Sequence, residues 1–312
     1  MEKQYENCRL CPRRCGVNRI HGEKGFCGET ASLRIASAVL HHGEEPPVAG
    51  ECGSGAIFVS GCNLSCTFCQ NFQISQQGLG RGISIDEFTQ ICLILQEKGA
   101  ENINIITGTH ATPALIHGIV AAKVGGLSLP VLWNSSSYEN EDTLALLQDV
   151  VDVFLPDIKT LDTEIARGFF NAPDYPEIAV QAVLAMLDMR PSYVCGDGGK
   201  VLSGVVVRHL VLPGHLDSTR TVLEWFAENV QGRALLSLMT QYTPIGAHTP
   251  TRYINHAEYE TLLKWLDELG LDGFYQELSP GREWVPDFSR FNPFPSKLSI
   301  PVWSFRDGIS GS

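Results

Sequence analysis

No run of 18 consecutive apolar residues occurs in this 312-residue chain, although 44% of its residues are hydrophobic. A membrane-spanning helix is excluded on that ground, and the apolar residues are left to build a substantial core. The amino end, Met1-Glu2-Lys3-Gln4-Tyr5, has no apolar stretch to serve as a secretory leader, so the expectation is a cytoplasmic protein. Positive charge is scarce: 23 Lys and Arg stand against 35 Asp and Glu, a net charge of −12. That balance argues against a broad nucleic-acid-binding surface and leaves room only for a local basic patch. Without a leader, the ten cysteines do not read as a disulfide framework; their clustering points to metal binding.

Seven of the ten fall in two tight groups. Cys62, Cys66 and Cys69 are spaced C-x3-C-x2-C directly after the apolar run Ala56-Ile57-Phe58-Val59. Thiolates this close suit an iron–sulfur cubane, and three of them leave one of its irons open. A structural zinc takes four ligands, and this loop supplies no fourth Cys or His. The other group, Cys8, Cys11, Cys15 and Cys27, can close a site completely, as a four-thiolate zinc or a second iron–sulfur cluster. Glycines at 16, 22, 25 and 28 let a short loop fold round a metal there, for a structural or electron-relay role. Cys52, Cys92 and Cys195 are left over, with Cys92 in an apolar helical pattern and expected to be buried.

From Gly55 onward short apolar runs alternate with helical stretches. Strands are expected at 56–60, 103–106, 130–133, 152–155, 205–212, 234–239 and 273–277. Helices are expected at 85–98, 111–123, 141–149, 175–189, 217–229 and 256–269. This alternation implies βαβ units and a mostly parallel sheet, curled into a partial (βα)6 barrel or left as an open doubly wound sheet. The division expected is a cysteine-rich arm over 1–50, the barrel over 51–277, and an extended aromatic tail over 278–312 that starts near Ser279-Pro280-Gly281 and packs on the barrel. His41-His42 and Glu44-Glu45 read as a surface turn.

Chemistry in such folds gathers at the carboxyl ends of the strands. Those ends are loaded here: the three cysteines, Thr107-Gly108-Thr109-His110, Asn134-Ser135-Ser136, Asp157 and Lys159, Arg208-His209, and Thr240-Gln241-Tyr242. Asp157 and Lys159, two apart, share one face and can pair. Arg208 interrupts an apolar strand, and a charge there needs an anion in the lumen.

The Cys62–Cys69 spacing, with aromatic Phe68 before the last cysteine, resembles the signature of the radical S-adenosylmethionine (radical SAM) superfamily. Nearly the whole chain is similar to PflX-type proteins, relatives of the pyruvate formate-lyase activating enzymes. The stretches that carry this are Cys11-Pro12-Arg13-Arg14-Cys15, Leu155-Pro156-Asp157-Ile158-Lys159, Val207-Arg208-His209-Leu210 and Leu238-Met239-Thr240-Gln241-Tyr242. The resemblance implies the partial barrel and a 4Fe–4S cluster on Cys62, Cys66 and Cys69. It also implies S-adenosylmethionine chelated to the open iron, with Phe68 near its adenine. Thr107-Gly108-Thr109 would contact the SAM amino group, Asp157 and Lys159 the ribose and substrate, and Arg208 the carboxylate; Asn134, Ser135 and Gln241 complete the cofactor pocket. One departure is visible: Thr107-Gly108-Thr109 carries no acidic residue where relatives have Gly-Gly-Glu. The implied partners are a one-electron donor such as flavodoxin or ferredoxin and a protein substrate of the glycyl-radical kind. The alternatives are a small metabolite or peptide as substrate, or a non-catalytic iron–sulfur carrier.

Overall fold

The computed structural model describes residues 3–245, 249–278 and 281–309. Twelve strands form one sheet: β1 Arg34–His41, β2 Ser54–Val59, β3 Arg81–Gly82, β4 Ile103–Ile106, β5 Val131–Ser135, β6 Val153–Pro156, β7 Val194–Cys195, β8 Val201–Leu210, β9 Leu235–Met239, β10 Gly273–Tyr275, β11 Ser299–Ser304 and β12 Gly308–Ile309. Their order is β10-β9-β8-β6-β5-β4-β2-β1-β11-β12, with β3 on β1 and β7 on β8. From β2 to β10 every neighbouring pair in that order is parallel. The seven strands expected from the alternation are therefore the seven parallel ones, and the α/β partial barrel is the architecture found. No helix among the described residues is long and apolar enough to cross a membrane.

The expected domain limits cut through this sheet. β1 pairs antiparallel with β2, and β11 antiparallel with β1, so residues assigned to the arm and to the tail both belong to it. Seven of the eight β1 residues are buried, which hides the alternation that would mark a half-exposed strand. The Ser279-Pro280 start of the tail lies outside the described residues. Two aromatics of the C-terminal segment pack on the sheet: Phe288 and Phe294 lie 5.2 and 5.6 Å from the Phe58 ring on β2.

Side chains alternate across the sheet as the pleat requires. Val131 and Trp133 of β5 join Ile103 and Ile105 of β4 in the core shared with the helices, whereas Leu132 meets Val48, Leu155 and Val206 at the floor of the lumen. The helices begin where their caps say. Ser84 accepts the N–H of Glu87 at the start of α4 (Ile85–Glu97), counting the short turns Lys3–Glu6, Pro46–Ala49 and Phe72–Ser75 as α1 to α3. Then follow α5 Thr112–Val124, α6 Glu141–Ala145, α7 Thr163–Phe170, α8 Tyr175–Met189, α9 Leu216–Asn229 and α10 His256–Glu268. Helix α7 was not expected; Asp162 caps it with its carboxylate on the N–H groups of Glu164 and Ile165.

Helix α10 carries a capping box in which Asn255 and Glu258 exchange side-chain-to-backbone bonds. Arg252 at 2.6 Å, the Asn255 N–H and the Gly214 N–H hold the Glu258 carboxyl down at about 2. Its folded pKa lies below the unfolded value of about 4.3, so this stabilisation is present above that value and lost as pH falls towards the folded pKa. Urea titrations at about pH 7 and about pH 3 should show a smaller acid loss in Glu258→Gln than in the parent. Equal acid loss in both proteins would contradict this account of the cap.

Candidate active site

Strand β2 delivers the chain to Gly61, at φ +85°, where an added Cβ would stand 2.9 Å from the Cys27 carbonyl oxygen and 2.4 Å from Glu29 Cγ. Only glycine fits that turn. The loop behind it is clamped from three elements. Thr67 donates its N–H to the Phe169 carbonyl at 2.9 Å, Asn63 donates its side-chain amide to the Tyr138 carbonyl at 2.5 Å, and Arg13 of the arm donates to the Asn63 carbonyl at 3.0 Å. Arg13 also donates to the Asn171 carbonyl at 2.8 Å, and its guanidinium lies 3.8 Å from the centre of the Phe26 ring.

The three cysteines are half-buried. Burial pushes the Cys62 thiol up to about 12 and raises those of Cys66 and Cys69 as well. Lys159 opposes the shift at all three, so its ammonium lies within electrostatic reach of each sulfur. The N–H of Leu64 faces the Cys62 sulfur at 3.3 Å, and that of Asn71 hydrogen-bonds Cys69. Among the described residues no three Cys, His, Asp or Glu side chains converge closely enough to hold one metal ion. A cubane places each thiolate on a different iron, so spread-out sulfurs with N–H donors and a nearby cation fit that group.

Lys159 faces the thiols because it is pinned. Its Nζ lies 2.6 Å from the Asp157 carboxylate. The Tyr175 hydroxyl accepts the Lys159 backbone N–H at 3.0 Å and donates to the Asp157 carbonyl at 2.9 Å. Burial works to strip the Lys159 proton, but Asp157 and the Cys66 sulfur hold it on more strongly, and its pKa stands above the ordinary lysine value. Nearby, the Gln241 side-chain oxygen accepts from Gln276 at 2.9 Å and its carbonyl from Gln70 at 3.2 Å. Phe68 is buried between Phe169, Phe170 and Tyr242, with ring centres about 6 Å apart. Asn134 is half-buried, in register between Ile106 and Leu155.

Other strand-end residues turn elsewhere. The Thr109 and Ser135 hydroxyls and the Trp133 indole N–H all donate to one oxygen of Glu139. Burial raises the Glu139 carboxyl pKa despite these donors, and its second oxygen has no hydrogen-bond partner. Glu139 had no signal beyond being an acid in a strand-end loop. Gly108 is required by packing, since a Cβ there would meet Trp133 at 2.5 Å. Thr107 takes φ +62°, a strained conformation for a β-branched residue. His110 and His209 are buried; His110 Nε2 donates to the Ser60 carbonyl at 2.7 Å, and burial lowers its pKa to about 4.

Two expectations are corrected together. The turn after β1 is not a plain surface turn, because Glu44 and Glu45 reach the Arg208 guanidinium. The Glu44 contact is 2.6 Å. Asn104 donates to Glu44 at 3.1 Å and Ser237 to Glu45 at 2.6 Å. Burial works against the Glu45 carboxylate, and Arg208 with Ser237 more than reverses that, lowering its pKa. The anion that Arg208 faces is thus a protein carboxylate pair. The arm cysteines 8 and 11 are buried, Cys27 is half-buried and Cys15 exposed; Cys92 is buried as expected.

Residues 56–226 match the family model described as the radical SAM superfamily. An uncharacterized protein of Methanocaldococcus jannaschii is 30% identical over 282 residues, 87% of this chain and 77% of that protein. A radical SAM methyltransferase from Sphaerobacter thermophilus superposes with a TM-score of 0.51 at 14% identity, over 72% of this chain and 66% of that one. SuiB of Streptococcus suis bound to the precursor peptide SuiA superposes at 0.48 and 10% identity over 70% of this chain, which spans 46% of SuiB. At 14% identity the methyltransferase structure speaks to fold alone.

Arg208 is 4% exposed, so removing it strands two buried carboxylates. Arg208→Leu should lower unfolding stability by about 3–5 kcal/mol in urea titrations, and adding Glu44→Gln and Glu45→Gln should recover part of that loss. A single variant as stable as the parent would show that the network carries no weight.

Proposed function

Because the chain belongs to the radical SAM superfamily, we propose that it cleaves S-adenosylmethionine reductively at a 4Fe–4S cluster on Cys62, Cys66 and Cys69. We further propose that it then takes a hydrogen from a protein substrate, in the manner of glycyl-radical activating enzymes. The carrying observation is the half-buried three-thiol loop with Lys159 in electrostatic reach of all three sulfurs. When bound, such a cluster supplies the electron that breaks the sulfonium bond and leaves methionine and a 5′-deoxyadenosyl radical.

The remaining roles belong to side chains. Lys159, kept protonated by its ion pair with Asp157, has ammonium donors left over for an anionic group at the mouth of the lumen, whereas Arg208 is held by Glu44 and Glu45. Asn134 and Gln241 offer amide groups there, and the Phe68 box excludes water from one wall. A side cavity of about 140 Å³, lined by Arg208, Ser237, Met239, Gln241, Phe274 and Gln276, opens between β9, β10 and the Glu44 turn. A further cleft of about 490 Å³, lined by Lys24, Cys27, Gly61 and Gln76, flanks the cysteine loop and lies within the roughly 300–1,000 Å³ usual for small-molecule sites. The electron comes from a flavodoxin- or ferredoxin-like donor, and the arm cysteines hold a second metal–thiolate centre.

Anaerobic incubation of cluster-replete protein with S-adenosylmethionine and a reductant should yield 5′-deoxyadenosine, and Cys66→Ala should abolish it. No product from the parent would leave an iron–sulfur carrier as the better reading. Product formation should rise with the macromolecular fraction of an anaerobic lysate; a rise with the small-molecule fraction instead would overturn the protein-substrate assignment.

A further inference from the structure

Two of the four arm cysteines are met by the same local device as the loop they pack against. At Cys62 and at Cys69 the backbone N–H two residues on, from Leu64 and Asn71, is aimed at the sulfur. In the arm the N–H of Arg13 does this for Cys11 and that of Glu29 for Cys27. Donors reach the other two sulfurs by different routes: Phe26 N–H to Cys15 at 3.3 Å, and Arg19 Nη1 to Cys8 at 3.8 Å. All four sulfurs are thus supplied with N–H donors, a pattern suited to anionic sulfur and one that tunes the potential of a cluster. Gly25 leaves no room for a side chain, since a Cβ there would lie 2.9 Å from Cys15 Sγ.

Charge points the same way. Arg19 is 2% exposed. Its guanidinium donates to the Thr30 carbonyl and to the His110 carbonyl at 2.5 Å, lies 4.6 Å from the Tyr5 ring centre, and faces Cys8. None of these hydrogen-bond partners is a carboxylate; the Glu29 carboxylate, itself paired with Arg34, lies within electrostatic reach, and thiolates gathered on a metal cluster would add to it. The arm also stands apart from the rest of the chain. Residues 1–34 hold seven Lys and Arg against four Glu, a net +3, while the whole chain is at −12. Cys15 is exposed, and Phe26, whose N–H faces its sulfur, is 40% exposed. Inward, Cys27 abuts Gly61, the residue before Cys62, and a cleft lined by Lys24, Cys27, Gly61 and Ser75 lies between the two cysteine groups.

We propose that Cys8, Cys11, Cys15 and Cys27 hold a second iron–sulfur cluster, the port through which electrons reach the Cys62–Cys69 site. One electron from the reduced flavodoxin- or ferredoxin-like donor, which is oxidised by one, crosses the arm centre and the Cys27–Gly61 contact; no bond forms or breaks and no proton moves there. The relay role rests on the reductive chemistry proposed above, whereas the cluster does not.

Full-length protein purified anaerobically tests this by iron, sulfide and zinc counts. The parent should carry about eight irons per chain, and the Cys62→Ala/Cys66→Ala/Cys69→Ala variant should keep about four with matching sulfide. Loss of all iron from that variant, or zinc in place of the second four irons, overturns the arm cluster without touching the first site. If the variant does not fold, the parent count decides, with about four irons overturning the proposal.

Discussion

A guanidinium buried in the lumen cannot be left without anions, and much of this barrel is arranged around that constraint. The sheet is open, ending at β10 on one side and β12 on the other. Arg208 on β8 reaches Glu44 and Glu45 in the turn after β1, Asn104 on β4 holds one of those carboxylates and Ser237 on β9 the other. Strands far apart in sheet order are thereby tied to one turn across the lumen. Moving any of them would strand a buried charge, at a cost of several kcal/mol. The same strand then sets the level above: Asp157 bridges to Arg208 through the backbone, and Lys159 follows two residues later. The cation that faces the thiols is placed by the cation that does not.

The Cys62–Cys69 loop is held in turn by parts of the chain with no chemistry of their own. Arg13 grips Asn63 from the arm, Phe169 of α7 takes the Thr67 N–H, and Tyr138 takes the Asn63 amide. These contacts hold in place three half-buried thiols whose burial favours the neutral form. Three sulfurs leave a metal corner open for a reactant, while the arm's four can close a site. The two groups differ in that count.

Much of this was legible in residue order. The parallel strands fell where apolar runs predicted them because each run must be buried on both faces of a sheet covered by helices. Asp157 and Lys159 do pair, as two residues on one face should. Other features were hidden. Strand β1 is so fully buried that its alternation vanishes, and β11, with Pro301 within it, lies in a tail without visible period. Thr109 and Ser135 looked like cofactor contacts, yet their hydroxyls serve Glu139. Direction, unlike residue type, depends on which acceptor the neighbouring loop brings.

What the sequence by itself determined is therefore what depends on near neighbours: the spacing of the thiols, the period of strands and helices, the caps, and the glycine at 61. What only the tertiary structure decided is which partner each buried charge meets. Arg208 signalled that it needed an anion, but Glu44 lies 164 residues away in the chain. Arg19 meets the carbonyl of His110 at a separation of 91 residues. A buried charge states its need locally, and the fold supplies the answer from whichever segment it carries into reach.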